Sequence, residues 1–460
     1  MSALGTEPNP LRVAVIGSGP SGFYAAEALL KSDLAVRVDM IERLPAPYGL
    51  VRYGVAPDHP KLKEPIMVYS AIARLPHFSL LGNVAVGRDV SVEELRAHYH
   101  VLLFACGAET DRHLGIPGEE LPSSHTATEF VAWYNGHPDY RNRGFDLTQE
   151  AVAVVGQGNV AADVCRILAK SVDELRTTDI ASHALDALAA SRVREIHVIG
   201  RRGPAQAKFT NKELKELGEL ANCDAVVDPK DLELDPASRT EVEAKANFVA
   251  AKNVEIFRQF AAQPARNAAR RLFFHFRKSP AALAGTGRVE QMVLAHNRLE
   301  GEPFKQVARE TAQTEVLRCG LVFRSIGYSG VPIRGVPFDA RRGVFPTQDG
   351  RIVDGAGAAV AGLYAAGWIK RGPTGIIGTN RADAVSTVKA LLADVPQLAP
   401  EAKPGIDGLK TLLAARGVRT VSVEDWFKID ALEVARGEPH GKPREKFTRV
   451  AEMLQCLGVQ

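Results

Sequence analysis

The sequence has few cysteines, and none of them lies close to another. Five cysteines are spread over 460 residues, at positions 106, 165, 223, 319 and 456. Without a C-x-x-C motif or another close pair, we expect no disulfide framework, no redox-active cysteine pair and no cysteine-ligated metal cluster. The sequence predicts no metal site.

Long apolar runs and a large net charge are also absent. No stretch approaches the roughly 18 consecutive apolar residues that a membrane-spanning helix needs. Residues 1–10 lack both the apolar core of a signal peptide and an Arg/Ser-rich transit pattern, so we predict a cytoplasmic location. The net charge of +3 is too small for a nucleic-acid-binding surface, although it suits an acidic protein partner.

Two βαβ units stand out in the pattern of apolar residues. A chain of 460 residues is too long for one hydrophobic core, which favours two or three domains. Each unit has an apolar strand that ends at a glycine, then a helix, then a second apolar strand, as in buried parallel sheets. The first unit covers Leu11–Ile16, 23–31 and Val36–Ile41, and the second covers Ala151–Val155, 160–170 and Glu195–Ile199.

Three further apolar runs end at glycines and predict how the domains connect. They lie at 100–105, 321–326 and 362–366. Because such strand ends are where a chain with two nucleotide-binding domains often crosses between them, we predict a discontinuous first domain at 1–108 and 325–460. The second domain, at 109–324, is inserted in it. The predicted fold is α/β, with two Rossmann-like three-layer dinucleotide-binding domains and a C-terminal extension from about residue 404, after a proline-rich linker.

The first βαβ unit carries a phosphate-binding turn. Gly17, Gly19 and Gly22 form G-x-G-x-x-G between the strand and the helix. Glycines there permit a tight turn, close approach of a pyrophosphate and close helix–strand packing, and the helix N-terminus faces the phosphates. Glu42, at the end of the next strand, offers a carboxylate to a ribose diol. This combination predicts an FAD site.

The second βαβ unit has arginines where the first has its acid. Its turn is G-x-G-x-x-A, with Gly156, Gly158 and Ala161, and its second strand leads into Arg201 and Arg202. A carboxylate at that position would repel a 2′-phosphate, whereas two guanidiniums bind it. We therefore predict that the first domain binds FAD and the second binds NADPH.

Two dinucleotide sites in one chain imply an electron relay. Hydride passes from the nicotinamide to the flavin, and the electrons then go to an acceptor. In disulfide reductases that acceptor is a cysteine pair, which this chain lacks. The electrons must leave from the flavin directly, either to a docked protein or to a small molecule such as a quinone or oxygen.

Three longer motifs carry a specific family resemblance. They are Gly49-Leu-Val-Arg-Tyr-Gly-Val-Ala-Pro-Asp-His-Pro60, Gly200-Arg-Arg-Gly-Pro204 and Trp368-Ile-Lys-Arg-Gly-Pro-Thr-Gly-Ile-Ile-Gly-Thr-Asn380. With them the chain resembles the adrenodoxin reductase-like ferredoxin–NADP reductases, including the actinobacterial NADPH-ferredoxin reductases, over essentially its whole length. The resemblance implies an FAD-dependent ferredoxin–NADP(+) reductase, whose ferredoxin can feed a cytochrome P450.

The resemblance also implies which residues bind the two cofactors. For FAD the implied residues are Gly22, Glu42, Leu50, Val86, Trp368, Gly375, Ile376 and Ile377. For NADP(H) they are Arg112, Gln157, Gly158, Asn159, Val160, Arg201, Arg202 and Glu213. Residue 162 is alanine where the family pattern has a larger apolar residue, and we expect this difference to affect packing rather than cofactor identity.

His59 and Glu213 are the residues that the resemblance places near the chemistry. Hydride transfer needs a short donor–acceptor distance and stacked rings rather than an acid or a base. A reduced flavin that is reoxidised by single electrons must also lose protons, however, and a histidine can relay protons near neutral pH. We therefore predict that His59 and Glu213 are catalytic residues.

The sequence leaves the docking surface and the acceptor open. A basic cluster surrounds the apolar residues 272–274 and is either a surface for an acidic ferredoxin or the charged flanks of a strand. Its members are Arg266, Arg270, Arg271, Arg277 and Lys278. The alternative functions are a flavin-dependent diaphorase or quinone reductase, and a dinucleotide-binding redox sensor.

Overall fold

The computed structural model describes residues 3–375 and 377–458. Within these residues the chain is α/β and contains two large sheets in which most strands are parallel. No helix in the described part of the chain is both long enough and apolar enough to cross a membrane.

The first sheet has seven strands, which come from two separate segments of the chain. In spatial order they are Thr347–Gln348, Arg351–Val353, Ala359–Ala365, Val101–Phe104, Leu11–Ile16, Val36–Ile41 and Phe78–Leu81. The last five are mutually parallel, and the first two extend the edge in antiparallel fashion.

The second sheet has six strands, all parallel, and comes from the middle of the chain. In spatial order they are Ser124–Thr126, Leu321–Arg324, Ala151–Val155, Glu195–Ile199, Arg270–His275 and Cys223–Val227. An antiparallel three-stranded sheet accompanies it, formed by Lys278–Ala284, Gln291–Glu300 and Val307–Arg318.

A short ribbon marks where the chain passes between the two large sheets. Thr110–Asp111 follows the first sheet's strand Val101–Phe104 and pairs in antiparallel fashion with Tyr328–Ser329, which follows the second sheet's strand Leu321–Arg324. The first domain is therefore discontinuous and the second is inserted in it, as the sequence predicts. The domain boundaries, which are placed beside this ribbon, stay a prediction.

Helices and short 3₁₀ turns connect the strands. The α-helices are Pro20–Leu30, Gly49–Tyr53, Pro65–Ile72, Val92–His98, Ala127–Tyr134, Asn159–Ala169, Val172–Leu175, Ser182–Ala189, Asn211–Gly218, Pro236–Glu243, Phe248–Ala262, Trp368–Arg371, Ile377–Asp394, Gly405–Ala415, Val423–Gly437 and Val450–Gln455. The 3₁₀ turns are Pro60–Lys63, Pro138–Tyr140, Pro204–Gln206, Pro229–Leu232, Lys245–Asn247, Val395–Gln397 and Glu438–His440. The helices predicted at 23–31 and 160–170 begin at Pro20 and Asn159, because the glycine before each one is the extended N-cap residue.

The strands bury both faces, which explains their continuous apolar runs. Along Leu11–Ile16, Val13 and Val15 belong to one core cluster, whereas Ala14 and Ile16 belong to another on the opposite face. In the second sheet Val152 and Val154 pack on one side, and the next residue of the strand after each packs on the other. This alternation produces the three-layer arrangement of each domain.

The C-terminal segment binds the two domains together. Trp426 is buried and donates from Nε1 to Tyr48 Oη at 3.1 Å in the first domain. Lys446 Nζ lies 2.9 Å from Asp179 Oδ2 in the second domain. Because one segment makes buried contacts with both domains, we expect it to limit their relative movement.

Candidate active site

The first glycine turn has the close backbone approaches that its sequence predicts. Gly17 has a φ of +103°, and a Cβ there would lie 2.6 Å from Ala105 O on the neighbouring strand connection. A Cβ at Gly22 would lie 2.1 Å from Gly17 O. A Cβ at Gly19, by contrast, would meet no described atom within 4 Å. The turn therefore packs tightly against neighbouring backbone at Gly17 and Gly22. It leaves space beside Gly19, at the N-terminus of the helix Pro20–Leu30.

Glu42, Leu50 and Val86 lie around this turn. Glu42 accepts hydrogen bonds from Ser18 N at 3.1 Å and from Ser18 Oγ at 2.6 Å, so its carboxylate is held against the glycine turn. Leu50 is the second residue of the helix Gly49–Tyr53 and is exposed. A Cβ at Gly49 would lie 3.1 Å from Gly19 Cα, so this helix begins beside the turn. Val86 is half-buried two residues after Val84, which donates to Glu42 O at 2.9 Å.

The segment with Trp368 approaches the same turn from the other end of the chain. The Trp368 indole Nε1 is buried and has no hydrogen-bond partner among the described residues. Ser21 Oγ, in the first turn, donates to Asn380 Oδ1 at 3.1 Å, which brings the helix Ile377–Asp394 to the turn. Gly375, with a φ of +86°, precedes this helix. Ile376 lies outside the described residues.

The second glycine turn repeats the geometry of the first. Gly156 has a φ of +133°, and a Cβ there would lie 2.1 Å from Ser325 O, whereas one at Gly158 would meet no described atom within 4 Å. Gln157 Nε2 donates to His275 O at 3.2 Å, and Asn159 Oδ1 accepts from Thr210 N at 2.8 Å. Val160, next on the helix, is half-buried against the core of the second domain.

Arg201 and Arg202 follow the strand Glu195–Ile199 beside this turn. Neither side chain has an ion-pair partner within residues 3–375 and 377–458. Burial and the positive charge of Arg201 together lower the pKa of the Arg202 guanidinium. The negative charge of Glu241 opposes this lowering of the Arg202 pKa, although Glu241 makes no salt bridge with Arg202. Two adjacent cations without an ion-pair partner form a site that an anion stabilises.

Arg112 and Trp368 both lie beside the ribbon between the domains. Arg112 is exposed, and its backbone N donates to Gly327 O at 3.0 Å. The Trp368 ring lies 5.3 Å from the Tyr328 ring on the ribbon's other strand. The two predicted binding regions therefore converge at the connection between the domains.

His59 touches two carboxylates of the second domain. Its Nε2 lies 2.9 Å from Glu216 Oε2, and its Nδ1 lies 3.5 Å from Glu213 Oε1. Both acids belong to the helix Asn211–Gly218, whose N-cap Thr210 is bound to Asn159 of the second glycine turn. The structure thus brings His59 and Glu213 together across the domain interface, and their catalytic role stays a prediction.

Known proteins match this chain over nearly its full length. A family model described as pyridine nucleotide-disulphide oxidoreductase matches residues 11–201. NADPH-ferredoxin reductase FprA of Mycobacterium tuberculosis is 43% identical over 458 residues, covering 97% of this chain and 99% of that protein. The mitochondrial NADPH:adrenodoxin oxidoreductase of Salvelinus fontinalis is 44% identical, covering 96% and 90% respectively. The solved structure of Mycobacterium tuberculosis FprA in complex with NADPH has a TM-score of 0.91 at 43% identity, covering 97% of this chain and 99% of that one.

The chain belongs to the NADPH-ferredoxin and adrenodoxin reductase family. This confirms the resemblance that the three motifs carry. This member matches the family model of the pyridine nucleotide-disulphide oxidoreductases. It lacks a redox-active cysteine pair, because all five of its cysteines are free.

Sequence reasoning on this family member missed three residues of the interface. Glu216 makes the shorter contact with His59, and Asp58 and Arg166 form a buried ion pair beside it, with Nε 2.7 Å from Oδ2. Glu216 could have been found from Glu213, because residues three apart lie on one face of a helix. The pairing of Asp58 with Arg166 crosses the domains and has no local signal in the sequence.

The basic cluster of this family member is paired within the chain. Arg266 binds Asp224 at 2.9 Å, Arg277 binds Asp231 at 3.3 Å, and Lys278 binds Glu315 at 2.6 Å. Arg271 pairs with Glu195, and Arg270 donates to two backbone carbonyls. The apolar residues between them lie in the strand Arg270–His275, which agrees with the second of the two interpretations.

Proposed function

We propose that the protein is a flavoenzyme that oxidises NADPH and reduces a ferredoxin, which in turn supplies a cytochrome P450 or another ferredoxin-dependent enzyme. The observation that carries this proposal is the pair of glycine turns in one chain, the second followed by two unpaired arginines, with no cysteine pair to accept electrons. The names of the relatives, NADPH-ferredoxin reductase and NADPH:adrenodoxin oxidoreductase, support it.

The first turn is our proposed FAD site. The open space beside Gly19 fits a pyrophosphate, the carboxylate of Glu42 fits a ribose diol, and the unpartnered Nε1 of Trp368 is a free donor near the ring-binding end. Gly17, Gly22, Leu50, Val86, Gly375, Ile376 and Ile377 complete the proposed FAD set. When bound, FAD accepts two electrons as hydride and releases them singly.

The second turn is our proposed NADP(H) site. Gly158 leaves room for the pyrophosphate, and Arg201 and Arg202 supply the charge that a 2′-phosphate needs. Arg112, Gln157, Asn159, Val160 and Glu213 complete the proposed NADP(H) set. Because Glu213 also faces His59, we propose that these two residues and Glu216 hold the proton that leaves or enters the site.

Replacing Gly158 by alanine is expected to weaken NADPH binding selectively. The new Cβ points into open space within the chain, so folding and FAD content should be unchanged, but it occupies the place of the pyrophosphate. We expect the Kd for NADP⁺, which has the same pyrophosphate as NADPH, to rise at least about tenfold, equivalent to roughly 1.4 kcal/mol. Isothermal titration with NADP⁺ measures this. Gly144→Ala, also at an open and exposed glycine of this domain, is the matched control.

Replacing His59 by alanine is expected to slow ferredoxin reduction roughly tenfold or more, as for the loss of a proton-transfer group, while FAD stays bound. The control is His296→Ala, because His296 makes a comparable contact with a glutamate, at 3.0 Å from Glu315, within the three-stranded sheet of the inserted domain. Steady-state assays with excess NADPH and varied ferredoxin compare the turnover of His59→Ala with that of His296→Ala. Unchanged turnover in His59→Ala would contradict the proposed role.

Stopped-flow spectroscopy tests the function itself. The yellow protein is mixed with NADPH, and then with a bacterial ferredoxin and cytochrome c. Rapid bleaching with cytochrome reduction that depends on ferredoxin supports the proposal. Bleaching without ferredoxin dependence would instead identify a diaphorase or quinone reductase, and slow turnover with both cofactors bound would identify a redox sensor.

We also propose that the protein works in the cytoplasm. The support is that all five cysteines are free thiols, three of them buried, which suits a reducing compartment. Fractionation of the source cells followed by immunoblotting tests this.

A further inference from the structure

Lys208 is an exposed cation beside the second glycine turn. Its side chain makes no ion pair or hydrogen bond with any residue in the ranges 3–375 and 377–458. Its backbone N donates to Gln157 O at 2.7 Å, and Lys208 pairs with Gly158 in an isolated parallel bridge. The lysine therefore lies directly alongside the glycine that leaves space in this turn.

The pairing with Gly158 determines the side of the turn on which the Lys208 side chain lies. Gly158 is extended, with a φ of −130° and a ψ of 179°. Residues that pair across neighbouring extended segments direct their Cβ atoms to the same face. A Cβ at Gly158 would point into open space, with no described atom within 4 Å. The side chain of Lys208 borders the same open space, and its flexible four-carbon stem can bring the ammonium to a group held there.

Buried neighbours fix the backbone on both sides of Lys208. Two residues earlier in the chain, the buried Gln206 donates from Nε2 to Glu241 Oε2 at 3.0 Å. The residue after Lys208 is the buried Phe209, whose carbonyl accepts from Asn253 Nδ2 at 2.9 Å. Because this backbone is already ordered, binding a ligand costs only the ordering of the lysine side chain.

The unpaired cations around the second turn lie in two places. Arg201 and Arg202 follow the strand Glu195–Ile199, whereas Lys208 is bonded to the turn itself. NADPH also carries its negative charge in two places, the 2′-phosphate on the adenosine ribose and the pyrophosphate. The end of the second strand is where the ribose is recognised, and the glycine turn is where the pyrophosphate lies. The two arginines therefore suit the first anion, and the compact charge of the lysine suits the second.

We propose that Lys208 binds the pyrophosphate of the nicotinamide nucleotide beside Gly158 and so contributes affinity that NADPH and NADH share. Arg201 and Arg202, by contrast, contact the group that distinguishes NADPH from NADH. This inference rests on the proposed NADP(H) site and deepens it, because it assigns holding the nucleotide and selecting it to different residues.

The first test is isothermal titration of NADP⁺ into holoenzyme that carries Lys208→Met. A charge-assisted contact with a phosphate is lost, so we expect the Kd to rise about fivefold or more at low ionic strength. Lys208→Arg keeps the charge and should stay within about threefold of the wild type. Lys208→Gln replaces the methionine variant if that one does not fold. Lys252→Met is the matched control, because Lys252 is an exposed lysine of the same domain that pairs with Glu255 at 2.9 Å.

The second test uses adenosine 2′-monophosphate, which has the 2′-phosphate but no pyrophosphate, as a competitive inhibitor against NADPH. We expect Lys208→Met to change its inhibition constant less than about twofold, because the group that Lys208 contacts is missing from this ligand. Replacing Arg201 and Arg202 together by alanine should instead raise that constant about tenfold or more. A structural role of Lys208 would weaken both ligands alike.

An unchanged Kd for NADP⁺ in Lys208→Met, or an equal rise in Lys252→Met, would overturn the proposal. So would a parallel loss of adenosine 2′-monophosphate binding, which would place Lys208 at the 2′-phosphate. The proposed function is tested separately, because these binding measurements need no ferredoxin. If the wild type bound NADP⁺ through Lys208 but did not reduce ferredoxin, the proposed function would fail and this inference would stand.

Discussion

Replacing Arg201 and Arg202 together by alanine is expected to lower kcat/KM for NADPH about 10²–10³-fold, while kcat/KM for NADH changes less than about threefold. Each charge-assisted contact with a phosphate contributes roughly 1.5–3 kcal/mol, and every 1.4 kcal/mol is a factor of ten. The two side chains have no ion-pair partner in the described part of the chain. Their removal should therefore weaken NADPH binding and leave the stability of the fold unchanged. NADH lacks the 2′-phosphate, so it makes no such contact and its binding should be unaffected.

Steady-state kinetics with both nucleotides measure this effect. Arg176→Ala is the control, since Arg176 is an exposed arginine of the same domain that pairs with Asp173, three residues earlier in the chain. A parallel fall for NADPH and NADH would show that the two arginines support the domain instead of recognising the phosphate.

Replacing Asp179 by asparagine is expected to lower the free energy of unfolding by about 3–5 kcal/mol, the usual cost of leaving a buried charge without its partner. Asp179 Oδ1 lies 2.7 Å from Lys63 Nζ, and Oδ2 lies 2.9 Å from Lys446 Nζ. Asparagine has the same shape but leaves two ammonium groups without a counter-ion. The three residues join the segment after His59, the inserted domain and the C-terminal segment, so the loss affects all three.

The effect should also depend on pH. Burial lowers the pKa of Lys446 to about 7 and also lowers that of Lys63. Between about pH 7 and the ordinary lysine pKa of 10.5, the unfolded chain binds more protons at Lys446 than the folded chain does, so the free energy of unfolding rises with pH. The lowered pKa of Lys63 acts in the same direction. Without Asp179 both lysines can lose protons in the folded state. We therefore expect the difference in the free energy of unfolding between Asp179→Asn and wild type to become smaller as the pH rises from roughly 7 to 9.

Urea unfolding followed by circular dichroism at the two pH values measures this. Asp173→Asn is the control, because Asp173 is an exposed partner of Arg176 and should change stability by less than about 0.5 kcal/mol. Adding Lys446→Met to Asp179→Asn removes one of the unpaired charges and should recover part of the loss. No recovery, or a difference that widens as the pH rises, would contradict this account.

The local chemistry of the sequence predicted the conformation of the two glycine turns and the positions of the buried strands. Gly17 and Gly156 have positive φ angles and backbone neighbours too close for a Cβ, and only glycine meets both conditions, so the turns were readable without a structure. Strand positions were equally readable, because a strand buried on both faces must be apolar at successive residues. Arg201 and Arg202 were readable as a pair because charge at a fixed distance from the glycine turn is itself a local pattern.

The residues around His59 could not be read in the same way. Glu216 and Asp58 were missed because ordinary solvated acids look the same in a sequence, and only packing decides which acids become buried. The pairing of the basic cluster around the strand Arg270–His275 could not be read either, because its counter-ions, such as Asp224 and Glu315, come from other strands.

The sequence by itself determined the two nucleotide turns, the choice of FAD and NADPH, the order of the domains and the exclusion of a cysteine pair. Each of these depends on residues within one βαβ unit or on a count. Tertiary structure decided how the domains meet: the contact of His59 with Glu216, the bridge from Arg166 to Asp58, and the link from Lys446 to Asp179. These contacts join residues far apart in the chain, and their strength comes from burial, which exists only once both domains have folded against each other.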